Sequence, residues 1–165
     1  MANSIPLLER LKHKPGYEKF MKDNRDSFLY ALFCILSNNE KEGDKVQFDF
    51  FTPSTKKIAY SEYPFDEIKV QNQEANVVSK TLNLDKLKVD TEDLWKIVEK
   101  LQLENKDNSI ITKIMGVLRE ESWDLTCTTA TIDIFRIKVN AITGECINYK
   151  KENLTNFIQI RKKGQ

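Results

Sequence analysis

The sequence predicts an α+β protein: two pseudo-repeats of helix plus antiparallel strands, with the helices packed on one face of the sheet. Three observations lead there. First, Ile137-Lys138-Val139-Asn140-Ala141-Ile142-Thr143-Gly144-Glu145-Cys146-Ile147-Asn148-Tyr149 is an alternating apolar run that enters Thr-Gly and leaves as a second alternating run. Glycine reaches positive φ at little cost, so the chain can reverse there and pair with itself. Second, Phe48 to Tyr60 is a weaker copy of that pattern, aligning Tyr60 with Tyr149. Third, each strand pair follows apolar residues at helical spacing, without the regular βαβ alternation of a parallel sheet. The chain reads as one compact unit of two repeats, 1–64 and 90–150, with a connection over 65–89 and a tail over 151–165.

Residues 4–25 read as helix in two pieces. Leu7, Leu8 and Leu11 mark one apolar stripe, Lys14-Pro15-Gly16 interrupts it, and Tyr17, Phe20 and Met21 restart the spacing. Phe28 to Leu36 fits either a buried helix or a buried strand, because both strand faces would be apolar. Its aromatic content and the polar loop at 38–44 favour strand. Val46, Phe48 and Phe50 alternate with Gln47, Asp49 and Phe51 as the next strand, Thr52 to Thr55 is its turn, and Lys57 to Tyr63 returns. Pro64 ends that strand, since proline cannot donate to a ladder.

Residues 65–90 are polar and weakly periodic, with room for a short helix around Glu74 to Lys80. Asp90 or Thr91 then caps a helix whose first turn carries Glu92 and Asp93, both favourable at the positive end of its dipole. Leu94, Ile97, Val98 and Leu101 follow at helical spacing, with Trp95 broadening the face. Ile110 to Leu118 fits a helix better than a strand by its spacing. Trp123, Leu125 and Cys127 alternate with Asp124, Thr126 and Thr128, which makes a strand. Ile132 to Ala141 is a long strand and Cys146 to Lys150 its partner, while Asn153 to Ile160 fits a short helix or an edge strand. The expected core is Phe48, Phe50, Leu94, Ile97, Leu101, Trp123, Leu125, Ile137 and Val139.

Composition narrows the function. With 26 basic and 25 acidic residues the formal net charge is +1, so no global basic field marks a dedicated nucleic-acid binder. Cys34, Cys127 and Cys146 are too scattered for a disulfide framework, and no Cys/His spacing suits zinc. A Cys127–Cys146 cross-strand bond fits a hairpin, but a reducing cytoplasm opposes it. The first residues lack the apolar core of a signal peptide, and Phe28 to Leu36 is far too short to span a membrane, so the expected location is the cytoplasm.

The second half resembles the PepSY domain family and its PepSY-like relatives. The resemblance rests on the helix Thr91 to Leu101, on Trp123 opening a strand, and on Val139 to Ile147, which looks like the family's strand-ending V-D-A-x-T-G-E-hydrophobic signature. It implies a helix on a small antiparallel sheet, frequent tandem occurrence, and a role in binding or restraining peptidases. The matching positions here are Asn140, Ala141, Thr143, Gly144 and Glu145, with a structural role at the turn. Asn140 stands where the family commonly has Asp. The first copy has Pro53-Ser54-Thr55 instead of Thr-Gly, and family members are mostly exported.

Catalytic constellations are not evident. The lone His13 sits in the charged segment Arg10 to Lys14, where a solvated side chain is the ordinary outcome. Adjacent acids such as Asp66-Glu67, Glu92-Asp93 and Glu120-Glu121 point apart on a helix by roughly 100°, and no glycine-rich phosphate loop exists. The expectation is therefore a non-enzymatic binding or regulatory module without cofactor or metal. It would engage a protein or peptide partner through a sheet face or edge, with Lys57, Tyr60, Tyr149 and Lys150 on the expected edges. Lysines at 56, 57, 150 and 151 also suit the protection of such edges against pairing. The alternative is nucleic-acid binding through the basic N-terminal segment, where Tyr17 and Phe20 interleave with Arg10, Lys12, Lys14, Lys19, Lys22 and Arg25, together with Arg161-Lys162-Lys163.

Overall fold

A computed structural model describes residues 2–76 and 80–154. Eight strands form one antiparallel sheet, β1 (Phe28–Ser37), β2 (Lys45–Thr52), β3 (Lys57–Glu62), β4 (Lys69–Val70), β5 (Ile111–Arg119), β6 (Ser122–Thr129), β7 (Asp133–Asn140) and β8 (Cys146–Asn153). Their order is β4-β3-β2-β1-β5-β6-β7-β8. Among the described residues three short α-helices accompany them: α1 (Ser4–Lys12), α2 (Pro15–Asp23) and α3 (Leu94–Glu104).

This overturns the expected α+β fold of two helix-plus-strand pseudo-repeats. The molecule is sheet-dominated, and one uninterrupted ladder crosses what the sequence suggests is a boundary. The joint is β1 against β5, paired from Ala31↔Arg119 to Ser37↔Lys113. The segment behind the discrepancy is Ile110 to Leu118, expected as helix and found as strand. A central strand has two faces to satisfy, so its apolar residues lose the period of 2 that advertises a strand. Ile114 and Leu118 are fully buried on one face, while Met115 and Val117 are half-buried on the other. Gly116 belongs to the first face and sits beneath Trp123. A Cβ there would lie 3.0 Å from the indole, 3.1 Å from Cys34 Sγ and 3.2 Å from Leu125 Cδ2.

The core lies on one side of the sheet. Leu32, Cys34 and Leu36 of β1, Val46, Phe48 and Phe50 of β2, and the inward residues of β5, β6 and β7 form a single buried cluster with Leu7, Leu11, Phe20, Leu94, Val98 and Leu101 of the helices. Ile97, expected in the core, packs against it partly exposed. Pro15 ends one helix by beginning the next, at the helical position where its missing N–H goes unmissed. Tyr17 and Phe20 both lie 6.0 Å, ring to ring, from Phe50.

Polar clamps tie the helical layer together. Asp90 caps the helical turn before α3, with Asp93 answering from the third position. The Asp90 carboxylate also accepts from the Ser4 amide at 3.1 Å and the Ser4 hydroxyl at 2.8 Å. The Trp123 indole N–H donates to the Val89 carbonyl at 2.8 Å, satisfying a fully buried donor. In the first hairpin the turn at 52–56 does without glycine. Lys56 takes φ 56°, and the Ser54 amide and hydroxyl donate to Asp26 at 2.7 and 2.9 Å.

The connection carries a short strand that its polar composition did not suggest. β4 pairs with β3 at Ala59↔Val70 and Tyr60↔Lys69, and the Gln71 and Ala75 amides extend the contact to Ile58 and Lys56. The helix expected around Glu74 to Lys80 is not found at 74–76 or at 80, and 77–79 lie outside the described residues. Residues 155–160 of the expected tail element, and the basic triplet Arg161-Lys162-Lys163, also lie outside them.

Candidate binding face

The family-like turn is a structural knot. Asn140 Oδ1 accepts from the Ile142 amide at 2.9 Å and the Thr143 amide at 3.0 Å, while its own backbone closes the turn through Glu145 and Gly144. Gly144 takes φ 81°, the left-handed region that glycine enters freely. Thr143 Oγ1 accepts from the Glu145 amide at 3.2 Å. Ala141 is fully buried, and its carbonyl accepts from both Lys88 and Val89. The turn thus holds the Lys88-Val89 segment, whose Val89 carbonyl receives the Trp123 indole. A groove of about 670 Å³ runs between this turn and α3. Its Lys88, Lys96 and Lys100 are interspersed with Asp93, Glu104 and Glu145, so it has no dominant sign of charge.

The four expected edge residues separate. Tyr60 is flanked by Lys69 of β4, so this stretch of β3 is interior to the sheet, and Lys57 is half-buried beside Thr52. Tyr149 turns inward, its ring 5.6 Å from Phe135 and its hydroxyl buried without a protein partner. Burial, then the nearby Asp107, push that hydroxyl up to about 12. Lys150 alone is exposed, on β8, the outermost of the described strands, 3.2 Å from Glu152, which also meets Arg136 at 3.1 Å.

The cysteines also differ from expectation. Cys127 and Cys34 are buried, and burial pushes both thiols up to about 12. Cys146, expected on a core face, pairs with Val139 but is exposed, because it opens the outermost described strand at the mouth of the groove beside α3. A Cys127–Cys146 bond is precluded by the register. Cys127 pairs with Phe135, Cys146 with Val139, and β7 lies between them. His13 is exposed at the end of α1, its Nδ1 donating to the Glu9 carbonyl at 2.6 Å. Among the described residues no cluster of His, Cys, Asp and Glu suits a metal ion. Tyr17 and Phe20, the aromatics of the nucleic-acid alternative, are turned onto Phe50, Phe20 buried and Tyr17 half-buried.

What sequence reasoning missed is the other face of the sheet. The buried apolar residues of α1, α2 and α3, and Phe65, Leu82, Leu84 and Val89 of the connection, join the core on the first face. Among the described residues no helix lies on the second. Its centre is a cross-strand block: Phe33 opposite Val117 and Ile35 opposite Met115, all half-buried. A smaller aromatic cluster of Tyr30, Ala31 and Phe51, with Phe28 and Ile58 against it, adjoins one side. The flank over β6 to β8 is polar, pairing Asp124 with Lys138 and Thr126 with Arg136. Two strands apolar on both faces, beside helices long enough for only one layer, were the available signal.

Three of the face's acids behave differently. Glu152 and Glu42 meet cations, Glu42 touching Lys113 at 2.7 Å, and their carboxyls are held low by those contacts. Asp49 is half-buried between Ala31 and Tyr60 and accepts from Gln47 Nε2 at 2.7 Å. Burial pushes its carboxyl above the usual range, against that hydrogen bond.

The class these features define, among the described residues, is a single antiparallel sheet with one helical layer and one uncovered face. The chain matches no protein-family model and no curated protein. Among solved structures it is similar to a "putative lipoprotein" from Clostridium difficile 630, with TM-score 0.53 and 14% identity over 82% of this chain and 89% of that one. That likeness shows the fold alone. Among the described residues no helix is long and apolar enough to cross a membrane.

Proposed function

We propose that this protein is a non-enzymatic binding module, PepSY-like in its second half, that docks a protein partner on the uncovered face of its sheet. The observation that carries the reading is the Phe33–Val117 and Ile35–Met115 block, which lies on a sheet face that no helix of the described residues covers. Strands spaced about 4.8 Å apart and about eight residues long, at about 3.3 Å per residue, give a face of roughly 30 by 25 Å. That matches the roughly 800 Å² per partner of a standard interface, and it exceeds what one extended peptide covers. An apolar centre with a polar flank is the composition such interfaces share. The reading as PepSY-like is supported by α3, by Trp123 and by the Asn140 to Glu145 turn. The exposed, unpaired thiol of Cys146 supports a reducing, cytoplasmic setting.

The test is equilibrium binding to a partner isolated from the native host. Val117→Glu, on the uncovered face, is expected to abolish binding while the circular-dichroism spectrum is kept. Leu103→Glu, at a helix residue that is 78% exposed, is expected to leave it intact. The reverse pattern refutes the proposal.

A further inference from the structure

We infer that Asp49 is the receptor for a basic side chain of the docked partner, with a guanidinium group as the preferred form. This depends on the uncovered face being the docking surface.

Aspartate is depleted in strands because its short polar side chain fits a half-buried pleated surface poorly. In β2 it occupies the uncovered face beside the aromatic cluster, with Phe51 two residues along its own strand and Tyr60 opposite on β3. Its one hydrogen bond comes from Gln47, leaving further acceptor capacity. Among the described residues no lysine or arginine lies within 4 Å. Arg119 is separated from it by β1, where Ala31 pairs with Asp49 on one side and with Arg119 on the other.

Contrast with the other acids makes the point. Glu42 and Glu152 sit at the margins and hold cations of this chain. Asp49 is half-buried within the sheet and, among the described residues, holds none. A partly desolvated carboxylate without a cation is costly to the isolated protein, and the cost is recovered when an opposite charge arrives from outside. Ala31 is buried in the aromatic cluster beside it, so the half-exposed carboxylate is reached from the solvent side of the face. The half-buried ring of Tyr60, opposite Asp49 on β3, favours a flat cation that can stack as well as pair, which distinguishes arginine from lysine.

The probe is the capped tripeptide acetyl-Gly-Arg-Gly-amide, titrated into the full chain and followed by amide chemical shifts. Its control replaces arginine with citrulline, which has the same shape without the charge. Saturable shifts at Ala31, Asp49 and Tyr60, absent with citrulline and absent in Asp49→Asn, are the expected result. Equal shifts with citrulline, shifts unchanged in Asp49→Asn, or no shifts there at all would overturn the inference. With an isolated partner, Asp49→Asn should weaken binding by about tenfold or more. If Val117→Glu abolishes binding but Asp49→Asn leaves it unchanged, this inference falls and the docking face stands. If neither variant matters, the docking face falls and this inference falls with it.

Discussion

Replacing Asn140 by alanine removes the acceptor on which the Thr-Gly turn is built. Its Oδ1 takes the Ile142 amide at 2.9 Å and the Thr143 amide at 3.0 Å. Thr143 is exposed and its amide can turn to water, whereas Ile142 is half-buried and its amide is less easily hydrated. At about 1 kcal/mol for each net hydrogen bond, the loss is about 1–2 kcal/mol. It approaches about 3 kcal/mol if the turn loosens enough to disturb the Ala141 carbonyl and leave buried groups unsatisfied. Asn140→Asp keeps an acceptor in the same place and adds charge to the bond, so it should match or slightly exceed the native stability. The assay is urea unfolding followed by tryptophan fluorescence, since Trp123 is fully buried. With a slope of about 2 kcal/mol/M, the alanine variant should unfold about 0.5–1 M earlier. Alanine indistinguishable from native, or aspartate as destabilised as alanine, would refute the account of this turn.

Other expectations can be checked on the same purified chain. Gly116→Ala forces a methyl group between Trp123, Cys34 and Leu125, and overpacking of this kind costs about 1–3 kcal/mol, read as a lower urea midpoint. Burial would raise the Asp107 carboxyl, but hydrogen bonds from Lys151 and Ser109 outweigh it and hold the group at about 2. Because the folded value lies below the ordinary 3.8, this stabilisation is complete above that pH and is lost as pH falls toward 2. Discounted for solvent screening it is worth about 1 kcal/mol, and Lys151→Met should flatten that part of the stability–pH curve. In the native state a thiol reagent should modify Cys146 first, while Cys34 and Cys127 react only as fast as the core opens.

The parts of the fold visible in the residues are those where one face is buried and the other wet. Phe48 and Phe50 against Gln47 and Asp49, and Trp123, Leu125 and Cys127 against Asp124 and Thr126, announce their strands by strict alternation. Ile110 to Leu118 does not, because β5 is apolar on both faces, and that one segment separates two pseudo-repeats from a continuous sheet. β4 is two residues long and held by neighbouring loop amides, too little to leave a pattern. The bulge at Lys138/Val139 opposite Ile147 puts Cys146 and Asn148 on opposite faces, so counting by twos across the hairpin misleads. Asn140, Thr143 and Gly144 were legible because the turn chemistry is local. Asp49 was not, since an acid on the alternate face of a strand reads as solvated until the register sets it between Ala31 and Tyr60.

The central claim is that the uncovered sheet face is the one a partner occupies. The most direct measurement places a photo-reactive phenylalanine analogue at Phe33, at Val117, or at the helix residue Leu103, in the full chain within native-host extract. Covalent adducts to the same protein from positions 33 and 117, with none from 103, are the predicted result. Adducts from 103 alone, or none from the sheet positions, would contradict it.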